Sequence, residues 1–333
     1  MELVCPAGNL PALEAALEVG ADSVYTGFRD QTNARAFPGL NFSDSELQRG
    51  ILLAHSMGRK VFIALNTYAE PGKLAEWRRA VDRAAALGAD AIIAADMAVL
   101  DYASHRHPNL PRHLSVQGSA TSAPALIYMR DRFEISRAVL PRVLSLQQVE
   151  RVCAASPVPL EVFGFGSLCI MVEGRCQLSS YVTGASPNRH GVCSPASFVR
   201  WEEQKDGSRS VRLNGVLIDQ FAAEESAGYP TVCKGRYDVG GEIFHALEEP
   251  TSLNTIDLLP RLRAAGVVAL KIEGRQRGVA YVRQVTATWR AAIDSLSNVV
   301  AANWLPHAKW QETLASHSEG RQTTLGPFHR AWH

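Results

Sequence analysis

The sequence has no excess charge, no long apolar run and few cysteines. Its 34 Lys and Arg residues against 33 Asp and Glu give a net charge of +1, so it lacks the electrostatic signature of a general nucleic-acid binder. No apolar stretch reaches the roughly 20 residues that span a bilayer, and residues 1–5 lack the basic start of a signal peptide. It contains no Gly-x-Gly-x-x-Gly fingerprint and no Walker loop. We therefore expect a cytoplasmic protein without a transmembrane segment or a nucleotide site.

Four of the six cysteines lie within 65 residues, at Cys169, Cys176, Cys193 and Cys233. In a reducing compartment, grouped cysteines are more often metal ligands or catalysts than disulfides, and four thiolates suit zinc or an iron–sulfur cluster. Structural zinc sites usually use closely spaced cysteine pairs, whereas the spacing here is Cys-x6-Cys-x16-Cys-x39-Cys. The spacing favours an iron–sulfur cluster, with zinc and four unrelated buried thiols as the alternatives.

The first half of the chain repeats a unit of apolar strand, polar turn and helix. Gly20, Gly88 and Gly266 each follow a predicted helix, where glycine supplies the left-handed C-cap. Ser43 and Ser145 begin capping boxes that open further helices. The eight predicted strands are Leu3–Pro6, Ser23–Thr26, Lys60–Leu65, Ala91–Ala95, His113–Gln117, Arg137–Leu140, Leu160–Phe165 and Val267–Ile272.

Strands that alternate with helices form a parallel sheet that is covered on both faces. Eight such units favour a TIM-barrel-like (β/α)8 fold over an open doubly wound sheet, and a barrel needs about 250 residues. We predict a single α/β barrel domain over residues 1–333, with a cysteine-bearing insertion between strands 7 and 8 at residues 167–260. Residues 298–333 are expected to form a C-terminal tail that packs on the barrel. The insertion would rise from the C-terminal face, where barrel enzymes have their active sites.

Polar side chains follow the predicted strands at the end that forms this active face. They are Cys5, Asn33, Arg35, Asn66, Asp96, Gln117, Arg142, Glu273, Arg275 and Arg277. Arg35, Arg142 and Arg275 together would suit an anionic substrate, because a guanidinium group binds a carboxylate through two parallel hydrogen bonds. The ordinary alternative for each residue is a loop polar group or a helix cap.

A hydrolytic site is a further alternative. Cys169 with His190 or His245 could form a nucleophile–base pair, but the sequence has no Gly-x-Ser-x-Gly nucleophile elbow.

The two cysteines outside the group are assigned differently. Cys153 falls on the helix that Ser145 opens and is expected in the core, whereas Cys5 is expected to face the active site.

Several segments resemble the peptidase U32 family. Residues 161–179 (EVFGFGSLCIMVEGRCQLS) look like the signature of that family. Residues 1–10, 245–254, 271–277 and 318–326 are similar to its UbiU branch, so the resemblance covers essentially the whole chain.

This resemblance implies a role in oxygen-independent ubiquinone biosynthesis. Members of the branch carry a 4Fe–4S cluster, form a heterodimer with a second U32 protein called UbiV, and hydroxylate the aromatic ring of ubiquinone precursors without dioxygen. The family's four cluster ligands fall on Cys169, Cys176, Cys193 and Cys233. The catalytic residues stay unknown, with Arg142, Glu273 and Arg275 as candidates from their position.

The oxygen atom needs a donor other than dioxygen. A related U32 branch that hydroxylates tRNA depends on prephenate, a dicarboxylate that the arginines could bind. Replacing Arg142 or Arg275 by Met is then expected to abolish hydroxylation and to leave the cluster spectrum intact. Because the sequence shows no membrane segment, we expect a lipid-binding accessory protein or a complex to deliver the apolar ring.

Three other functions remain open. One is a U32 protein that hydroxylates RNA, against which the near-neutral charge counts, since RNA binding draws on phosphate neutralisation. The others are a cysteine peptidase and a scaffold that zinc stabilises.

Overall fold

Eight parallel strands close into a barrel. The computed structural model describes residues 1–36, 39–171, 173, 176–187, 193–296 and 303–329. With strands numbered in chain order, the barrel consists of β1 Glu2–Pro6, β2 Ser23–Thr26, β3 Lys60–Leu65, β4 Ala91–Ala94, β5 Arg112–Leu114, β6 Arg137–Val139, β7 Leu160–Ser167 and β14 Ala269–Ile272. Each strand pairs in parallel with the next, and β14 pairs with both β7 and β1. The predicted TIM-barrel-like α/β fold is confirmed.

Helices follow most barrel strands and surround them. They are α1 Leu10–Glu18, α2 Asp44–Ser56, α3 Leu74–Ala86, α4 Met97–Arg106, α5 Ala123–Phe133, α6 Leu146–Ala155, α7 Gln177–Thr183, α8 Leu259–Ala264, α9 Val279–Ser295 and α10 Ala308–Ser316. Both predicted capping boxes, at Ser43 and Ser145, are formed. Gly20, Gly88 and Gly266 all have a positive φ, as the C-cap prediction requires. No helix in the described ranges is long and apolar enough to cross a membrane.

The strand bounds follow the prediction closely, except at β5. Strands β2 and β3 match it, and the other barrel strands differ by one to three residues at either end. The predicted strand through Gln117 stops at Leu114, because the Ser115 side chain accepts a hydrogen bond from the Gln117 amide and a 3-10 turn follows. Local hydrogen bonds of this kind compete with a sheet ladder. The turn brings Gln117 to the mouth of the barrel.

Apolar side chains form two layers, one between the strands and helices and one inside the barrel. The inner layer contains Val4, Tyr25, Phe62, Ala91, Ile93 and Ala269. Successive side chains of a strand point to opposite faces, so the residue after Val4 points outward. Cys5 is fully buried in the outer layer, where its sulfur accepts a hydrogen bond from the Thr286 hydroxyl of α9 at 3.2 Å. The prediction that Cys5 faces the active site is therefore wrong.

Between β7 and β14 the chain forms a second group of strands. β8 Val199–Glu203, β9 Arg209–Leu213 and β10 Val216–Phe221 form an antiparallel sheet, and β11 Tyr237–Val239 and β12 Glu242–Phe244 form a separate hairpin. β13 Ser252–Asn254 then pairs antiparallel with the end of β7. In the C-terminal part, β15 Thr323–Thr324 pairs with β13, and α10 packs on α9. The last strands thus extend the barrel sheet beyond β7.

Candidate active site and cysteine group

A cavity of about 100 Å³ opens at the carboxyl ends of the barrel strands. Most of the predicted polar residues line it, namely Arg35, Asn66, Gln117, Arg142, Glu273, Arg275 and Arg277. Asn33 lies behind it and accepts a hydrogen bond from Arg275. Asp96 has another role, because its carboxylate accepts hydrogen bonds from the Ala98 and Val99 amides at the start of α4. Asp96 is thus a helix cap, the ordinary alternative for that position.

Arg142 connects the barrel to the cysteine-bearing segment. Its Nε and Nη2 atoms donate to the two carboxylate oxygens of Glu173 at 2.7 and 2.8 Å. Its Nη1 atom donates to the Ser167 carbonyl oxygen at 2.5 Å and to Glu273. Burial acts to lower the pKa of Arg142, but the two glutamates raise it well above its usual value. These partners make Arg142 a clamp between the barrel and the segment that follows β7.

Glu273, directly after β14, joins two arginines. Its carboxylate accepts a hydrogen bond from Arg142 and lies 3.5 Å from Nη2 of Arg35. Burial acts to raise the pKa of Glu273, but Arg142 and Arg35 outweigh it and hold the pKa below its usual value. The Glu273 carbonyl oxygen accepts a hydrogen bond from the Tyr281 hydroxyl at 2.8 Å, which fixes the backbone there. Glu273 is therefore an ionised, positioned carboxylate at the rim of the cavity.

Among the cations that line the cavity, Arg275 is the one whose positive charge is least balanced by described carboxylates. Its Nη1 atom donates to the Asn33 side-chain oxygen at 2.5 Å, and within the described part of the chain it forms no ion pair. The residue is 6% exposed, and burial lowers its pKa to about 10. A buried guanidinium that faces a neutral amide is favourably placed to gain an anionic partner.

Lys271 and Tyr25 also line the floor of the cavity, and neither was predicted from the sequence. The Lys271 ammonium lies 4.0 Å from the centroid of the Tyr25 ring and donates to Glu161 at 2.7 Å. Lys271 precedes Glu273 by two positions, so both side chains point to the same face of the strand. The available signal was a lysine inside an otherwise apolar strand, because an unpaired charge is not stable in such a place.

A second buried ionic network lies toward the amino ends of the strands. Glu161 accepts hydrogen bonds from Lys271 and from Arg137, and Arg137 also donates to Glu2 at 2.5 Å. His113 of β5 lies close to these groups. Burial, with the positive charges of Arg137 and Lys271, lowers the pKa of His113 to about 3, so its imidazole is neutral at pH 7.

The four cysteines of the insertion are free thiols, and Cys176 is buried whereas Cys169, Cys193 and Cys233 are partly buried. Burial and the neighbouring Cys176 and Cys233 raise the pKa of Cys193 to about 11, against the opposing effect of Arg35. Burial raises the pKa of Cys169 to about 12, and Glu173 and Cys193 act in the same direction. Each thiol is thus within electrostatic reach of another member of the group, although their metal ligation stays a prediction.

The cysteine-bearing segment is joined to the mouth of the barrel. Cys169 follows Ser167, the last residue of β7, by two positions. Glu173, which lies between Cys169 and Cys176 in the sequence, accepts two hydrogen bonds from Arg142 of the cavity. Within the described ranges, no three Cys, His, Asp or Glu side chains converge closely enough to hold one metal ion.

The hydrolytic alternative gains no geometric support. His190 lies outside the described residues, and the Nδ1 atom of His245 lies 3.0 Å from the carbonyl oxygen of Lys234. A nucleophilic cysteine needs a lowered pKa, whereas burial raises that of Cys169. Cys153 packs, half-buried, against the outer apolar layer, close to the predicted core position.

Comparisons with known proteins identify the family. The model for peptidase family U32 matches residues 8–330. The tRNA hydroxylation protein P of Escherichia coli is 30% identical over 312 residues, which are 88% of this chain and 68% of that protein. The collagenase of Porphyromonas gingivalis is 29% identical over 95% of this chain and 70% of its own length. A 23S rRNA 5-hydroxycytidine synthase of Escherichia coli is 27% identical over 89% of this chain and 40% of its own length. The chain belongs to the peptidase U32 family.

Proposed function

We propose that this chain is the iron–sulfur subunit of an oxygen-independent hydroxylase. The observation that carries the proposal is a group of four free cysteines in the segment that the Arg142–Glu173 pair joins to the barrel cavity. Residues 167–260 would form the insertion that holds the cluster, and residues 298–333 a tail that packs on the single barrel domain. Cys169, Cys176, Cys193 and Cys233 would be its ligands.

The wide sequence spacing of the four cysteines is the reason to propose a 4Fe–4S cluster and not zinc. In such a cluster each iron takes one thiolate, so the sulfurs stand farther apart than the four ligands of one tetrahedral zinc ion. When bound, a 4Fe–4S cluster accepts and donates single electrons.

The residues of the cavity would bind and orient the oxygen donor. Arg275 and Arg35 are placed to hold a carboxylate, and Lys271 adds a positive charge at the floor. A small dicarboxylate such as prephenate has the charge for this site. Arg142 would have a different role, because it binds Glu173, which lies between Cys169 and Cys176 in the sequence. We now expect a cluster spectrum that survives replacement of Arg275 but changes on replacement of Arg142.

The substrate that the sequence motifs favour is the aromatic ring of a ubiquinone precursor. The segments at residues 1–10, 245–254, 271–277 and 318–326 carry the resemblance to the UbiU branch and extend from one end of the chain to the other. The chain would then work as a heterodimer with a UbiV-like U32 protein. A lipid-binding accessory protein would present the apolar ring to the complex.

RNA hydroxylation is the second candidate, and the names of the relatives favour it. Two of the three relatives described above are named for hydroxylated tRNA or rRNA. The net charge of +1 counts in the other direction, because RNA binding relies on neutralising phosphates. Both candidates share the hydroxylation chemistry and differ in substrate.

Iron, sulfide and zinc content tests the cluster. The chain would be co-expressed with a UbiV-like partner and purified without oxygen. We expect about four irons and four sulfides per chain and a broad visible absorption band. Cys193→Ala should lose the iron, the sulfide and the band, whereas Cys153→Ala, which lies outside the group, should keep them. Bound zinc without sulfide would contradict the proposal.

The substrate is tested in cells that lack the chain and grow without oxygen. Mass spectrometry of their quinones and of their nucleosides from tRNA and rRNA shows which hydroxylation is missing. Accumulated unhydroxylated quinone precursor, restored by the wild-type chain but not by Cys193→Ala, supports the ubiquinone substrate. A missing hydroxylated nucleoside with normal quinones would assign the chain to RNA instead.

A further inference from the structure

The C-terminal tail contacts the point where the cysteine-bearing segment returns to the barrel. After α10 the chain makes a 3-10 turn at Glu319–Arg321, and β15 then pairs with β13. The Ser252 amide of β13 donates to the Gln322 carbonyl oxygen at 3.0 Å. Gly320 has a φ of 57° and lies so close to the Pro250 carbonyl oxygen that a side chain there would collide with it. The tail is therefore fitted closely to the end of the segment.

The same tail also contacts the start of the segment. Leu168, which directly precedes Cys169, is buried in an apolar cluster with Leu253 of β13, and Phe328 of the tail packs against this cluster. Gly326 lies next to Leu168, since a Cβ atom there would be 3.2 Å from the leucine side chain. One short stretch of the tail thus covers both ends of the segment.

Glu319 is the polar centre of this contact. Its backbone amide donates to the Ser252 hydroxyl oxygen at 2.9 Å, which fixes the residue on β13. One carboxylate oxygen of Glu319 accepts a hydrogen bond from the Ser167 hydroxyl, and the other accepts one from the Lys234 ammonium. The Lys234 side chain is 11% exposed, so water screens this ion pair only in part. Hydrogen bonds to an ionised carboxylate are stronger than those between neutral groups.

These hydrogen bonds reach the first and the last cysteine of the group. Ser167 precedes Cys169 by two positions, and Lys234 directly follows Cys233. The Glu248 amide donates to the Cys233 carbonyl oxygen at 3.0 Å, so the turn at Cys233 is also tied to the chain that follows it. A single side chain of the tail therefore binds a close neighbour of each of these two cysteines.

We propose that Glu319 is a positioning residue, which holds the backbone at Cys169 and Cys233 so that both thiols can bind the same metal centre. Groups that hydrogen-bond around a metal site orient its ligands, and a site is precise only when such supporting contacts are present. The inference rests on the proposed function in one respect, since it takes the four cysteines as ligands of one centre. It holds for a 4Fe–4S cluster and for zinc alike.

Alkylation resolved by residue tests the positioning role. The full chain, purified without oxygen, would be treated with a chelator and iodoacetamide, and mass spectrometry would give the reaction rate of each cysteine. In Glu319→Gln we expect Cys169 and Cys233 to react about tenfold faster than in the wild type, because the turns that carry them open more often without the charged hydrogen bonds. Cys5, which is fully buried in the outer layer, reports global unfolding and should keep its rate. Glu312→Gln, at an exposed carboxylate of α10, is the matched control and should react like the wild type.

A second variant, Lys234→Met, separates positioning from a local effect of charge. Without the Glu319 carboxylate, the Lys234 ammonium favours the reactive thiolate of Cys233, whereas removal of Lys234 disfavours that thiolate. The two variants thus change the charge at Cys233 in opposite directions, but both break the same ion pair. Positioning predicts faster alkylation of Cys233 in both.

The outcomes separate this inference from the proposed function. Faster alkylation of Cys169 and Cys233, with Cys5 and the Glu312→Gln control at wild-type rates, supports positioning even if the chain binds zinc without sulfide. Wild-type rates in Glu319→Gln overturn the positioning role and leave the cluster proposal standing. An equal rise at Cys5 overturns it too, because Glu319 would then act on the stability of the whole fold. So does a Cys233 rate that rises in Glu319→Gln and falls in Lys234→Met.

Discussion

The barrel contains two buried ionic networks, and they differ in charge balance. The network at the amino ends of the strands has two carboxylates and two cations, in Glu2, Glu161, Arg137 and Lys271. Among the described residues, the group at the mouth has two carboxylates and three cations. Ion pairs join Glu173, Glu273, Arg35 and Arg142, and Arg275 beside them donates to the neutral Asn33 side chain. The first neutralises itself and joins neighbouring strands. The second has one positive charge in excess, at the place where a ligand enters.

The balance of the amino-end network can be broken at Lys271. Lys271→Met leaves Glu161 with Arg137 alone. We expect a loss of about 3–5 kcal/mol in the free energy of unfolding, because a buried charge loses its partner. Urea unfolding at pH 7 measures it. In the double variant Lys271→Met/Glu161→Leu both charges are gone, and most of the stability should return. A single variant as stable as the wild type would show that the network is not a balanced unit.

His113 makes the stability of the same region depend on pH. Its pKa is lowered from 6.5 to about 3 in the folded protein, so the unfolded chain takes up the proton first. The stability is complete above pH 6.5 and falls as the pH drops toward 3. Between pH 7 and pH 5 we expect a contribution of about 2 kcal/mol to the loss.

Urea unfolding of His113→Gln at the two pH values isolates this contribution. The variant should lose less stability than the wild type between pH 7 and pH 5. His105→Gln, at an exposed side chain of α4, is the control and should follow the wild type. An equal pH dependence in all three proteins would mean that folding does not lower the pKa of His113.

The excess positive charge at the mouth can be removed by replacing Arg275. Of the three predictions, this one has the smallest expected change in the free energy of unfolding. Arg275→Met should change the free energy of unfolding by under about 1 kcal/mol, because an apolar side chain of similar volume replaces a buried charge without an ionic partner. Citrate should raise the thermal midpoint of the wild type at constant ionic strength and should not raise that of the variant. Arg277→Met, at the exposed rim, should keep the citrate effect. The same citrate response in both variants would place the anion elsewhere.

The sequence predicted the barrel well because its strands repeat one local pattern. Apolar strands such as Ser23–Thr26 and Ala91–Ala94 follow helices that end at a glycine, and these signals depend on neighbouring residues only. The prediction for Cys5 failed because neighbouring side chains of a strand point to opposite faces. Only the closed barrel shows that Val4 points inward and Cys5 outward. The strands β8 and β11 were not predicted, since they are short and largely exposed and so lack an apolar pattern.

The sequence indicated which residue types form the site, but it did not show which of their side chains contact one another. The four cysteines were recognisable because cysteines rarely occur in groups. The arginines were recognisable because they directly follow predicted strands. The Lys271–Tyr25 contact was not predictable, because closure of the barrel alone brings β14 near β2. The clamp between Arg142 and Glu173 was missed for a similar reason, as it links two turns that are distant in sequence.

The pairing of β7 with β13 has a consequence for how the molecule can vary. Ser167, at the end of β7, is directly opposite Ser252, so the intervening segment leaves the barrel and returns to it at adjacent points. A segment whose two ends meet can change its length at a low entropic cost, since the cost of closing a loop grows slowly with its length. The cysteine-bearing segment can therefore gain or lose residues between its contacts with little effect on the free energy of folding of the barrel.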